Sequence, residues 1–362
     1  MNRYAIPLIL LFVAMPSAGQ SNGGSEFADA WRAYLEAKES GNPAAVIETS
    51  RNALDIGREV FPADDQRLPA LMSNYGVALY DAGDLAAARP ILKESVDLTA
   101  EIHGKDSEKM IPVLMNYADA RAEFQNSQAM ERTYNQALKV AEKNWGRESL
   151  DYAGISLRAG INIFEQARSD EAGKYLRRSN KIFTDLVGEE DIRTAYARFF
   201  LGKMEMTKRD YRDATNFFLS ALPGLGGDSD AAREFEIITR SFLVQAYESR
   251  GMSDEATEHC LVVGQKSMLS PDQDYQPLFR KAPAYPRPML ISNIQGHVDF
   301  AFTVDENGFV RDPEVIDAVG NDAFIEPALE ALRGFRYAPQ FRDGQPVVVD
   351  DVKTRITFRL VD

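Results

Sequence analysis

The chain repeats itself every 42 residues from about residue 27 to 268, and nothing else in it restricts the possible folds so far. One column of the repeat reads Tyr34, Gly76, Ala118, Gly160, Gly202 and Val244, and twelve residues on a second reads Val46, Ala88, Met130, Ala172, Ala214 and Ala256. A third reads Ala53, Ser95, Ala137, Ser179, Ala221 and Val263, while Ser50, Leu92, Tyr134, Leu176, Phe218 and Cys260 form a larger column between the last two. Six copies keep register without insertion or deletion. Small residues at these spacings let two antiparallel helices approach closely, with one larger side chain per copy filling the gap. Turn signals fall where helical hairpins need them, at Gly41-Asn42-Pro43, Ala82-Gly83-Asp84, Lys208-Arg209-Asp210 and Arg250-Gly251-Met252. Gly104, Gly146 and Gly188 fit helix C-caps between hairpins. A lone hairpin cannot bury its apolar face, so the expected fold is an α-solenoid of about six stacked hairpins. Its first and last copies fit the columns worst, as caps with one neighbour should.

The columns resemble those of the tetratricopeptide repeat, which has small residues at its eighth, twentieth and twenty-seventh positions. That repeat is usually about 34 residues long, so this chain is similar to the longer, kinesin-light-chain-like variety. A HEAT-like repeat has about this length too, but would not predict three small columns. The resemblance implies a concave face built from the first helices. Trp31, Leu35, Tyr80, Met115, Leu157, Ile161, Phe164, Tyr196, Phe199 and Lys203 fall on it, with Met206, Asp119, Glu123, Glu165 and Gln245 among them. Such a strip suits an extended peptide or an amphipathic helix; the alternative for each residue is packing between neighbouring helices. The family's carboxylate clamp needs Lys and Asn along the strip, and Lys203 alone matches.

The period stops near 268, where SPDQDYQPLFRKAPAYPRP brings five prolines and a semi-rigid linker is expected over 269–284. Period-two alternation from His297 to Val304, the turn at Asn307-Gly308, a returning strand over Val310 to Ala318, a helix from about Asp322 to Arg333 and a strand from about Val347 to Leu360 make a small α+β domain in the order β-β-α-β. Residues 285–362 resemble the TonB C-terminal domain. The likeness is carried by Tyr285-Pro286, Gly296-x-Val298, Phe302-x-Val304, Gly308, Val310, Phe324-x-x-x-Ala328-x-x-Ala331, Phe335-Arg336-Tyr337-x-Pro339, Gly344 and Phe358. It implies a docking domain that adds a partner's strand to its exposed edge, nominally at Val349, Val352, Thr354, Ile356 and Phe358, unless these only fill the core face. The transducer's long anchor and Pro-rich spacer have no counterpart, and the domain carries 8 basic against 13 acidic residues.

Residues 1–19 read as a secretory signal peptide: Arg3, an apolar run from Ala5 to Met15, a breaker at Pro16, and small Ser17 and Gly19 before the expected cut. The run is about half of the ~20 residues a spanning helix needs; kept uncleaved, it would be an anchor. A short tail over 20–26 precedes the repeats. The net charge of −14 argues against nucleic-acid partners, and one cysteine with three scattered histidines gives no metal or cofactor set. No enzyme and no small-molecule substrate are expected. The chain reads as a periplasmic interaction scaffold whose partners are other periplasmic or outer-membrane proteins, with a TonB-type energy-transducing component of outer-membrane transport as the alternative.

Overall fold

A computed structural model describes residues 22–121, 128–167, 170–227, 229–267 and 275–360. The expected signal peptide, and the stretch 268–274 that opens the Pro-rich segment, lie outside them. The chain divides into two compact units, the first ending at Leu186 and the second starting at Val187. In the first unit four hairpins follow one another: α1 (Asn22–Ser40) with α2 (Pro43–Val60), α3 (Leu68–Asp81) with α4 (Leu85–His103), α5 (Met110–Ala120) with α6 (Gln128–Trp145), and α7 (Leu150–Asn162) with α8 (Ala172–Val187). A π-helical turn, Ile163–Ala167, extends α7. Most of the expected tail is helix instead, because Phe27 packs edge-on against Phe61 at 4.7 Å and fixes the first turns of α1. The second unit holds two more hairpins, α9 (Ile192–Thr207) with α10 (Tyr211–Ala221) and α11 (Asp230–Ser249) with α12 (Ser253–Lys266), and then the β domain.

The columns of the repeat are the seams of the hairpins. A Cβ placed on Gly76 would lie 2.6 Å from Leu92 Cγ, on Gly160 2.7 Å from Leu176 Cγ and on Gly202 2.6 Å from Phe218 Cε1. In these three hairpins the large-column residue fills the space that the hairpin's own glycine leaves open. From Leu92 to Cys260 the large column is fully buried. The turn between helices also recurs: Gly41, Gly83 and Gly251 have φ of 66°, 84° and 72°, and Arg209 takes the same place at 61°. Left-handed backbone costs a side-chain-bearing residue roughly 1–2 kcal/mol, so the repeat geometry overrides local preference at Arg209.

The C-terminal domain begins with the short α13 (Arg287–Ile291) and has a three-stranded antiparallel sheet of order β2 (Val310–Val319), β1 (Gly296–Val304), β5 (Val349–Phe358). A 3₁₀ turn and α14 (Ile325–Leu332) cover one face. Val298, Phe300, Phe302 and Val304 meet Phe324, Ala328, Ala331 and Leu332 there, with Val352, Ile356 and Phe358 from β5. Asp343 and Gly344, both at positive φ, close a small separate hairpin of β3 (Gln340–Arg342) and β4 (Gln345–Val347). Sequence alternation missed it because each strand has three residues.

Candidate functional site

The expected concave strip is only partly a surface. Met115, Leu157, Ile161, Phe164 and Phe199 are buried, which corrects their placement as partner contacts. The reason is a relation between neighbouring repeats. Phe199 packs on Phe242, 43 residues on, at 5.6 Å between ring centroids, and on Phe235 at 4.6 Å; likewise Asn116 donates to Ser73 Oγ at 2.9 Å, again 43 residues away. Phe199 thus faces the first helix of the following hairpin, and there what looked like a groove lining is the seam between hairpins. Leu35 stays exposed, while Trp31, Tyr80, Tyr196 and Lys203 are half-buried. Lys203 Nζ lies 5.0 Å from the Phe200 ring centroid.

Polar chemistry on this face of the first unit gathers on Asp119. Its carboxylate accepts from Tyr134 Oη, from Arg158 Nη2 and, at 3.0 Å, Nε, and from Asn162 Nδ2 at 2.6 Å. Arg158 Nη2 also donates to Asn116 Oδ1 at 2.9 Å. Three successive hairpins are tied together by the chain Ser73, Asn116, Arg158, Asp119. Burial, then the Asp119 charge, hold the Tyr134 and Tyr80 hydroxyls well above their ordinary range. Burial opposes the charge of Arg158, but Asp119 outweighs it and keeps the guanidinium protonated. The arrangement is a clip whose donors, Tyr134, Arg158 and Asn162, all converge on Asp119, with Arg158 and Asn162 each making a second bond, to Asn116 and to Tyr134 Oη.

In the β domain, β5 pairs with β1 on one side only, from Gly296 opposite Phe358 to Val304 opposite Val349. Val352, Ile356 and Phe358 point into the core and Val349 and Thr354 are half-buried. These five residues therefore place the strand, and the edge itself is backbone. Lys353, Arg355 and Thr357 alternate with them on the solvent face. The other edge, β2, differs. Pro313 has no N–H to offer, Asp312 sits at φ 45°, and the register with β1 slips twice. Bulges and proline blunt an edge against further pairing, and β5 from Val352 to Phe358 has neither, its own slip lying before Val352.

The Arg of the Phe335-Arg336-Tyr337 motif joins the domain to the last hairpin. Its guanidinium donates to Glu248 Oε1 of α11, to Thr257 Oγ1 of α12 at 2.7 Å and to the Asn307 carbonyl at 3.0 Å, and it stacks 3.8 Å over the Phe309 ring. Arg336 is 1% exposed. Gly264 of α12 lies so close to the Pro339 carbonyl that no Cβ fits between them. The described part of the expected semi-rigid linker over 269–284 is bonded to the β domain. Leu278 and Phe279 donate to the Arg336 carbonyl, Arg336 N–H returns a bond to Phe279, and Tyr275 donates to Ala338. Burial pushes the thiol of Cys260, close by in α12, up to about 12, which keeps it protonated at neutral pH.

Residues 67–143 match the tetratricopeptide repeat and residues 281–360 match the Gram-negative bacterial TonB protein C-terminal. Protein TonB of Pseudomonas aeruginosa is 30% identical over 76 residues, 21% of this chain and 22% of that protein, so the chain spans about a fifth of the length of this curated relative. Among solved structures, BtubC (BKLC) from P. vanneervenii is similar with 18% identity over 73% of this chain and 100% of that one, TM-score 0.48. A tetratricopeptide repeat protein from Parabacteroides merdae has 16% identity over 68% and 82%, TM-score 0.44. The Pseudomonas aeruginosa TonB C-terminal domain has 26% identity over 26% and 98%, TM-score 0.23. The chain thus carries tetratricopeptide repeats of the helical-solenoid kind and, after them, a TonB-type C-terminal domain.

Proposed function

We propose that the chain is an adaptor of the Gram-negative cell envelope, exported to the periplasm with loss of residues 1–19, that holds one protein on its tetratricopeptide hairpins and pairs an extended segment of a second with β5. The contrast between the two sheet edges carries this reading: β2 is blunted by Pro313 and its bulges, while β5 leaves an unpaired ladder of N–H and C=O groups from Val352 to Phe358. A strand added there would set alternate side chains beside Lys353 and Arg355, which favours acidic groups, and the others beside Thr354 and Ile356, which favours apolar ones. On the repeats, Leu35, Trp31 and Tyr80 supply apolar area. Photo-crosslinking residues placed at Lys353 or Thr357 in cells should trap a discrete partner, and one at Glu314 on β2 should not. Adducts from Glu314 alone, or none from β5, would overturn the assignment.

The match to TonB favours a second reading, an energy transducer that keeps residues 5–15 as a membrane anchor. No helix among the described residues is long and apolar enough to cross a membrane. Intact mass of the exported protein separates the two readings, since a chain starting at Gln20 has lost that run.

A further inference from the structure

Three side chains that are far apart in the sequence meet on the solvent face of the sheet. His297 and Asp299 are two apart on β1, and the β1–β2 register sets Asp317 directly opposite Asp299. One ring nitrogen and one oxygen from each carboxylate lie within 4.8 Å of one another. Val298 and Phe300, the neighbours on the other face, are fully buried, so the backbone beneath the cluster is fixed by the core. Just beyond, the register slips, leaving Ile316 unpaired and bending β2 at Asp317.

Two carboxylates facing each other across neighbouring strands repel. Arg355 answers Asp299 directly: its Nε and Nη2 each lie 2.7 Å from an oxygen of that carboxylate and hold its pKa below the usual carboxylate range. Asp317 receives only the N–H of its neighbour Ala318, at 2.9 Å, and the His297 ring has no hydrogen-bond partner among the described residues. An imidazole nitrogen, and a carboxylate whose one hydrogen bond comes from Ala318 N–H, are thus left with open lone pairs on a rigid strand pair. A carboxylate has about four lone-pair sites, so Asp299 has room for a further ligand beside Arg355.

We propose that His297, Asp299 and Asp317 form a binding site for a first-row divalent cation, of which Zn²⁺ best suits one imidazole nitrogen and two carboxylate oxygens. Soft Cu(I) would need sulfur, and Mg²⁺ and Ca²⁺ favour all-oxygen shells. Water would complete the coordination on the open side. Calorimetric titration of the full chain with Zn²⁺, and in parallel with Mg²⁺, tests this. One equivalent of Zn²⁺ should bind. His297→Ala and Asp317→Asn should each weaken it about tenfold or more, taking as a floor the loss seen when even an outer-sphere partner is removed, while His103→Ala and the Mg²⁺ titration should show no such response. All variants should melt with the parent before zinc is added, since the altered groups are outside the core. Zn²⁺ binding unchanged in His297→Ala and Asp317→Asn, weakened equally by His103→Ala, or matched by Mg²⁺ would overturn the site.

Discussion

Removing Arg336 tests the junction between the last hairpin and the β domain. Arg336→Ala deletes a guanidinium that is 1% exposed and leaves the Glu248 carboxylate, itself about nine-tenths buried, without its cation. Breaking a buried pair from one side costs about 3–5 kcal/mol, most of it the desolvation of the charge left behind. The bond to Thr257 Oγ1 and the stacking on Phe309 are lost as well, so the upper part of that range applies. The chain has one cysteine, Cys260, fully buried in α12 next to this junction, so its labelling by a thiol reagent reports opening of the hairpin. At about 1.4 kcal/mol per factor of ten, a loss of about 4–5 kcal/mol should speed up labelling limited by the opening equilibrium roughly 10³-fold or somewhat more. Trp31 and Trp145 both lie in the first unit, so their fluorescence follows that unit separately. Combining Arg336→Met with Glu248→Leu should recover much of the loss, because no buried charge then remains unpaired. A labelling rate within threefold of the parent in Arg336→Ala would refute the reasoning, since it would mean that Glu248 meets water there.

Acid should weaken the same hairpin through His259, whose ring stacks on Tyr247 and whose Nδ1 lies 3.1 Å from Arg240 Nη1. Burial, and then the Arg240 charge, lower it to about 4. The unfolded chain binds more protons between there and about 6.5, so stability is full above pH 6.5 and falls by about 2–3 kcal/mol towards pH 4; His259→Phe should flatten that part of a urea-midpoint profile. Gly202→Val drives a side chain into Phe218 and should cost about 1–3 kcal/mol in thermal or urea melts, with Phe218→Leu restoring part of it. Asp119→Leu leaves Arg158 buried without its counter-ion and should cost about 3–5 kcal/mol, followed by tryptophan fluorescence of the first unit. Arg209→Gly relieves positive φ and should stabilise by about 1 kcal/mol in the same melts.

Contacts within one hairpin were legible in the sequence because they repeat at a fixed separation. Gly76 with Leu92, Gly160 with Leu176 and Gly202 with Phe218 are the same sixteen-residue contact three times over. The β domain was legible through alternation and its Phe324, Ala328, Ala331 spacing, all three residues lying in the core. Contacts between hairpins were harder to read. Met115, Leu157 and Phe199 have the size and polarity of a ligand-binding strip, yet all three are buried, and for Phe199 the 43-residue relation to Phe242 of the next first helix shows what covers it. That relation could have been sought as paired large residues, such as Phe199 with Phe242. The bond from Arg336 to Glu248 crosses 88 residues between two kinds of repeat-free and repeated sequence, so no local spacing announces it. His297, Asp299 and Asp317 converge through the register of β1 on β2 and its two slips, between Thr303 and Ala301 and between Phe300 and Asp299, which regular alternation does not announce.

Amide hydrogen exchange along both sheet edges, measured on the chain alone and in complex with the partner trapped through β5, tests the central claim most directly. Strand addition predicts that alternate amides between Val352 and Phe358 slow strongly in the complex while those of β2 from Val310 to Val319 keep their rates. Protection on β2 with β5 unchanged, or no change on either strand, would contradict it.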